Sequence, residues 1–206
     1  MTHKFDSRHL DRLLSPERRQ WQNPDGVFEA LGLDQGMTVA DIGAGPGFFT
    51  LPAAAKVGPT GKVYALDVAP EMLDRLRERA MAEAITNVET LVSRENEFPL
   101  PDASVDVALV ANVLHETVEP VSFLREIARV LRPGAVLGVV EWRTDSLEKG
   151  PPVTERLAPE TVEELMRAAD YRAIERFEVG PFHYGIRAAG FVIPRRHAIT
   201  ESVPGC

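Results

Sequence analysis

Two aspartates and three glycines carry the clearest chemistry in this chain. Residues 39–50 read Val39-Ala40-Asp41-Ile42-Gly43-Ala44-Gly45-Pro46-Gly47-Phe48-Phe49-Thr50. An apolar run ends in an acid, glycines follow at every second position, and a helix-compatible stretch begins. A strand that breaks into a glycine loop and then a helix builds the nucleotide-type pocket of an open α/β sheet. Asp67 closes the next apolar run, so both carboxylates face one crevice, because ligands in such sheets bind beyond the carboxyl ends of strands. Asp67 is placed to accept hydrogen bonds from both hydroxyls of a ribose. Asp41 lies where a cationic ammonium would sit. A ligand with a ribose and an amino-acid end, and no phosphate, suits the pair.

The glycine spacing decides against the phosphate-bearing alternative. A pyrophosphate loop needs G-x-G-x-x-G/A, with a small third residue where helix and strand pack closely. Here Phe48 stands at that third position, Gly47 comes one residue early and Pro46 stiffens the loop. A nicotinamide-dependent reductase is opposed as well by the absence of Tyr-x-x-x-Lys: Tyr64, Tyr171 and Tyr184 are followed four residues on by Val68, Glu175 and Ala188.

A candidate general base follows a later apolar run, in Asn112-Val113-Leu114-His115-Glu116. Histidine titrates near neutrality, which suits proton removal from an incoming nucleophile. The competing reading is that His115 caps a helix or orients the loop, and its neighbour in sequence, Glu116, need not be its partner. Glu141-Trp142-Arg143 ends another apolar run and offers a second pocket wall, with Trp142 able to stack on a substrate. Trp21, His183 and Tyr184 read as packing of the N-terminal segment and the last strand.

The elements that must position these groups alternate along the chain. Strand-like runs are Thr38–Ile42, Lys62–Asp67, Val88–Val92, Val105–Ala111 and Ala135–Trp142. Most are apolar on consecutive residues, the pattern of strands covered on both faces. Between them, Pro70 opens a helix with the stripe Met72, Leu73, Leu76 and Ala80, and Glu71 and Arg75 are spaced for an i,i+4 pair on its other side. Pro120 opens a second helix with Leu124, Ile127, Ala128 and Leu131, ended by Arg132-Pro133-Gly134. Pro159 opens a third, with Val162, Leu165, Met166 and Ala169. Repeated strand–helix–strand units give a parallel sheet with right-handed crossovers. Arg172–Val179 and His183–Ile193 read as two more strands joined by Gly180-Pro181-Phe182, a connection short enough only for an antiparallel hairpin. Asn23-Pro24 starts a helix and Gly32 stops it. The expected organisation is a single domain over 1–206: a helical cap to residue 35, a core over 36–193 and a tail from Pro194 to Cys206.

Composition narrows the class. The chain has 206 residues, a formal charge of −8 and one cysteine, Cys206. Length and composition are those of one globular domain. No internal disulfide or cysteine-rich metal site can form, and a cytoplasmic location fits. No metal is expected. There is no apolar run of membrane-spanning length and no basic-then-apolar leader. The acidic balance opposes nucleic acid as a partner: Arg75, Arg77 and Arg79 are interleaved with acids, and Arg195-Arg196 is an isolated pair. Nothing in the sequence decides between monomer and homodimer.

Four segments in order carry a resemblance. Asp41-Ile42-Gly43-Ala44-Gly45-Pro46-Gly47 resembles motif I of class I S-adenosylmethionine-dependent methyltransferases. Val63-Tyr64-Ala65-Leu66-Asp67 with Pro70-Glu71-Met72-Leu73 resembles the family's second-strand motif. Phe98-Pro99-Leu100-Pro101-Asp102-Ala103-Ser104-Val105-Asp106 resembles its approach to strand 4, and Arg129-Val130-Leu131-Arg132-Pro133-Gly134 its turn before strand 5. The match covers residues 35–145 and is nearest to the ubiquinone/menaquinone-type small-molecule branch. The resemblance implies a Rossmann-like open seven-stranded α/β sheet of order 3-2-1-4-5-7-6, strand 7 antiparallel, with helices on both faces. It implies methyl transfer from S-adenosylmethionine to a small-molecule acceptor, leaving S-adenosylhomocysteine.

Carried over residue by residue, Asp41, Gly43, Ala44, Gly45 and Gly47 would line the methionine and ribose side. Asp67 would hold the ribose hydroxyls, with Val68 and Met72 flanking the adenine. The family's acid for the adenine amine is replaced by Arg94, and Glu95 or backbone groups are the alternatives. Ala111 and Asn112 would sit beside the transferred methyl, in front of His115. Asn112 leads into Val113-Leu114 and not into an Asn-Pro-Pro-Tyr/Phe motif, which disfavours methylation of adenine or glutamine amines. A single cysteine disfavours arsenite, which the related enzymes hold with several. A cofactor-binding protein that has lost chemistry stays open as the alternative.

Overall fold

The computed structural model describes residues 14–145 and 149–190. The expected tail and residues 191–193 of the last expected strand lie outside these, as do the first 13 residues of the expected cap. Among the described residues a seven-stranded sheet is formed by β1 (Thr38–Ile42), β2 (Lys62–Asp67), β3 (Val88–Val92), β4 (Val105–Ala111), β5 (Leu131–Trp142), β6 (Ile174–Glu178) and β7 (His183–Ala189). The order is β3-β2-β1-β4-β5-β7-β6, with β7 antiparallel to both neighbours and every other pairing parallel. The short Gly180–Phe182 connection required that hairpin, and the sheet has it.

Among the described residues six α-helices surround it: α1 (Pro16–Trp21), α2 (Pro24–Leu31), α3 (Thr50–Val57), α4 (Pro70–Ala82), α5 (Pro120–Val130) and α6 (Pro159–Ala168). All but α3 open on proline, whose fixed φ suits a first turn and whose missing N–H would be unpaired there. Asn23 caps α2, its Oδ1 accepting from the Asp25 N–H at 3.2 Å, and Gly32 ends it at φ 68°. On one face of the sheet, Leu124, Ile127 and Met166 pack on Ala108, Val139 and Ile186. On the other, Val27, Phe28, Leu31 and Ala54 pack on Val39, Leu109 and Val140. Among the described residues no helix is long and apolar enough to cross a membrane.

Three details depart from the sequence pattern. Strand β5 begins at Leu131, which already pairs with Val105; the Arg132–Gly134 turn, with Gly134 at φ 84°, forms an irregularity before register resumes at Val136–Val107. Helix α5 therefore runs directly into its strand. On α4, Arg75 pairs with Glu78 at 2.9 Å instead of with Glu71. On so exposed a face the two arrangements differ by little. Strand β3, at the sheet edge, is only partly covered, and its Val92 is 51% exposed.

Candidate functional site

The carboxyl ends of β1 and β2 bring the first two acids together. The glycine loop folds over the end of β2, where the Gly43 and Ala44 N–H groups both donate to the Leu66 carbonyl at 2.8 and 2.9 Å. Gly43 has φ 72°, and a Cβ there would stand 2.3 Å from Val113 Cγ2, so no larger residue fits. Gly45 differs: at φ 53° its missing Cβ would meet nothing within 4 Å. The loop is left bare on that side, which is the condition for a ligand to approach backbone. Asp67 is clamped beside it, Oδ2 accepting from the Gly45 N–H at 2.8 Å and Oδ1 from the Ala69 N–H at 2.9 Å. Each carboxylate oxygen keeps a second lone pair for another donor. Burial raises the Asp67 pKa against the pull of those backbone bonds.

Asp41 is 3% exposed and its Oδ2 accepts from Thr50 Oγ1 at 2.5 Å. Its pKa is pushed up to about 6, first by burial and then by the Asp67 charge, while the Thr50 bond and the Arg18 charge pull it down. A carboxyl whose folded pKa exceeds its unfolded value of 3.8 makes the fold bind a proton more tightly. Stability therefore falls as pH rises from about 4 to about 6. Two pH units correspond to roughly 3 kcal/mol. Asp41→Asn, which keeps an acceptor for Thr50, is expected to lose about 2–3 kcal/mol less than the parent between pH 4 and 7 in urea unfolding. Equal pH slopes for the two proteins would remove Asp41 as the titrating group.

On the adenine side the expected residues separate. Val68 is 54% exposed at the end of β2, whereas Met72 is 4% exposed and belongs to the core-facing stripe of α4. Arg94 turns to solvent and pairs with Glu97 at 2.7 Å, its side chain 84% exposed. Glu95 fastens the segment after β3 to the start of α5, its Oε1 accepting from the N–H groups of Val118 (2.8 Å) and Glu119 (3.2 Å). Next to it, Asn96 Oδ1 is buried without a hydrogen-bond partner.

Beyond β4, Asn112 adopts φ 60°, its N–H donating to the Val140 carbonyl at 2.8 Å and its Oδ1 buried without a partner. The chain then makes a short 3-10 turn, Leu114–Glu116, that seats His115 against the end of β5. His115 Nδ1 lies 2.8 Å from Glu141 Oε2, and the His115 main-chain N–H donates to Glu141 Oε1 at 3.2 Å. Glu141 is wholly buried. Glu116, adjacent in sequence, is 3.8 Å from Nε2 instead. A carboxylate can only accept, so the Nδ1–H tautomer faces Glu141 and Nε2 is the basic nitrogen. Burial pulls the His115 pKa down, but the bond to Glu141 and the charges of Glu141, Glu116 and Glu155 more than offset it, leaving the pKa above its ordinary value. This dyad is what sequence reasoning missed, having placed Glu141 only in a pocket wall.

Helix α1 roofs the sheet end. Arg18 Cζ lies over Phe48, 4.0 Å from the ring centre, and its Nε donates to Gln22 Oε1 at 2.7 Å. Trp21 stacks on His183 at 5.4 Å and 10°, and His183 lies 4.0 Å from Trp142. Burial, then the charges of Arg18 and Arg156, press the His183 pKa down to about 3, so this ring is neutral. Tyr184 donates to the Leu157 carbonyl at 2.8 Å.

This geometry has known counterparts. A family model described as a methyltransferase domain matches residues 33–178. The chain belongs to that family. A solved S-adenosylmethionine-dependent methyltransferase from Aquifex aeolicus superposes with a TM-score of 0.86 at 38% identity, covering 90% of this chain and 99% of that one. The arsenite methyltransferase of Halobacterium salinarum is 31% identical over 157 residues, 71% of this chain and 39% of its own length. The demethylmenaquinone methyltransferase of Geobacillus stearothermophilus is 29% identical over 143 residues, 68% of this chain and 61% of its own. The chain thus spans between two fifths and three fifths of these two curated relatives. The sheet order is the one expected of class I methyltransferases, and S-adenosylmethionine is the cofactor of the fold. The bare Gly45 backbone and the spare lone pairs of Asp67 fit it.

Proposed function

We propose that this protein methylates a small-molecule acceptor by in-line displacement from S-adenosylmethionine. When bound, that cofactor supplies an electrophilic methyl on a sulfonium leaving group. The protein then needs mainly to align the partners and exclude water. Asp67 would hold the ribose hydroxyls, Asp41 the ammonium, and Gly43–Gly47 the backbone wall. Val68 would cover one adenine face. Asn96 Oδ1 and the Glu95 carboxylate are the acceptors nearest in sequence to the position of the family's acid for the adenine amine. His115 Nε2 would take the proton of an acceptor that arrives protonated, with Glu141 fixing the ring.

The observation that carries this reading is the clamped Asp67 beside the bare Gly45 backbone. A small acceptor is favoured by the acidic charge of −8. The curated relatives named above point the same way, but with only one cysteine this chain cannot hold arsenic through several thiolates.

Calorimetry is expected to show binding of S-adenosylmethionine and S-adenosylhomocysteine and none of NADH. Incubation with methyl-labelled cofactor and metabolite fractions is expected to label a low-molecular-weight acceptor. Tight NADH binding with neither methionine derivative bound would overturn the reading. Binding without transfer to any fraction would favour a cofactor-binding protein.

A further inference from the structure

The turn after β4 gathers acceptors that lack a donor. His115 is gripped at one end only: Nδ1 and the main-chain N–H both go to Glu141, which fixes the ring, and the side chain is 7% exposed. Nε2, at the other end of the ring, makes no hydrogen bond among the described residues. Across from it stands Glu116 Oε1 at 3.8 Å, beyond hydrogen-bond length, on a side chain 43% exposed. Asn112 Oδ1, in the same turn, is buried and also unpaired. With the proton of the ring on Nδ1, facing Glu141, Nε2 and the Glu116 carboxylate can only accept. Two acceptors so placed repel each other until one molecule donates to both. The surrounding charge has the same sign. Burial raises the Glu116 pKa; the His115 charge opposes that shift, and the charges of Glu141, Asp67 and Glu155 add to it.

We propose that the methyl acceptor is a small amine that arrives as an ammonium and is recognised by Glu116 and His115 Nε2 together. This names the acceptor class of the function proposed above and rests on it. An ammonium has one N–H for each acceptor, whereas a hydroxyl has a single proton and would turn lone pairs to the second. One N–H proton passes to Nε2, and its bonding pair stays on nitrogen as the lone pair that attacks. The nitrogen takes the methyl as the carbon–sulfur bond breaks, the electron pair of that bond staying on sulfur. The product is a methylated ammonium, and the one proton released rests on His115, between Glu141 and Glu116, until solvent takes it. Positive charge grows on the nitrogen as its bond to carbon forms, and the Glu116 carboxylate favours that. An oxygen or carbon acceptor would carry negative charge into the same ring of acids, which opposes it.

A deproteinised extract of the cells that make the protein is divided in two. One half is treated with acetic anhydride and then hydroxylamine, which leaves amines acetylated and restores hydroxyls and thiols. Each half is incubated with the full chain and methyl-labelled S-adenosylmethionine. Label is expected in the untreated half, on a product that cation exchange retains at neutral pH, and is expected to fall about tenfold or more in the treated half. Label that survives acetylation, or a product that is not retained, overturns the proposal and leaves methyl transfer standing. Failure of the parent protein to bind S-adenosylmethionine, or binding with no transfer to either half, would instead overturn the methyltransferase reading beneath it. Glu116→Gln, which keeps the shape and removes the charge, then tests the recognition itself. Calorimetric affinity of the amine so isolated for the S-adenosylhomocysteine complex is expected to fall about 10- to 100-fold, the range of a charge-assisted bond, and its KM to rise by the same factor. Affinity for S-adenosylhomocysteine is expected to stay within about threefold, because Glu116 makes none of the proposed cofactor contacts. Equal amine affinity in the two proteins would remove Glu116 from the acceptor site and overturn the proposal.

Discussion

Asp67→Ala is expected to weaken S-adenosylmethionine binding by a hundredfold or more, and S-adenosylhomocysteine binding equally, because both carry the same ribose. Each hydroxyl donating to an ionised acceptor contributes about 1.5–3 kcal/mol, so losing two removes about 3–6 kcal/mol. The carboxylate also holds the Gly45 and Ala69 N–H groups. Its removal releases the loop from the end of β2 as well as emptying the ribose site. The fold itself should tolerate the change. Burial raises the Asp67 pKa, so the ionised group is held at a cost that alanine relieves. Melting temperature near that of the parent, with calorimetric binding lost, is the expected combination. Asp67→Asn separates the two roles. The amide offers one acceptor oxygen, and its NH2 must face one of two backbone donors, so affinity is expected to fall by about tenfold or more. Asp67→Ala binding within threefold of the parent would mean that the ribose lies elsewhere.

The sheet was legible because its signals are local. Apolar runs, prolines at helix starts and a three-residue connection before His183 determine strand identity and the one antiparallel reversal. The cofactor loop was legible for the same reason, since Asp41, the glycines and Asp67 lie at consecutive strand ends. What escaped is what depends on distant segments meeting. Glu141 lies near the end of β5 and His115 in the turn after β4, and they touch only once β4 and β5 are in register. The usable signal was an acid ending the run Leu137-Gly138-Val139-Val140, where a buried charge needs a partner. Trp21 reads as a packing residue, and its ring partners His183 and Trp142 lie more than 100 positions away, so that contact forms only once α1 folds back over the sheet. Arg94 illustrates the converse. It stands where the family places an acid, yet its length and charge carry it out to Glu97.

Glu141 makes the largest catalytic effect testable in two steps. His115→Ala is expected to lower kcat by about 10²–10⁴, the contribution of a positioned general base. Cofactor affinity should stay within threefold, because no proposed cofactor contact is removed. Glu141→Gln keeps the shape and removes the charge that holds the His115 pKa up. Only neutral imidazole accepts a proton, so the rate of the parent rises with pH through the raised pKa. In Glu141→Gln that pKa falls, and the acidic limb of the kcat profile moves to lower pH. The plateau also drops, since a less basic nitrogen removes a proton less well. A merely structural role for Glu141 would lower kcat without moving the limb.

Stability provides an independent check on the same dyad. A histidine whose folded pKa is raised stabilises the fold fully below the unfolded value of about 6.5, and that contribution is lost as pH climbs through the folded pKa. His115→Ala is therefore expected to be more destabilising at pH 5.5 than at pH 8.5. A limb that stays in place in Glu141→Gln, with equal destabilisation of His115→Ala at both pH values, would assign the titration to another group. Glu116, 3.8 Å from Nε2 and itself raised by burial, would then be the next group to replace.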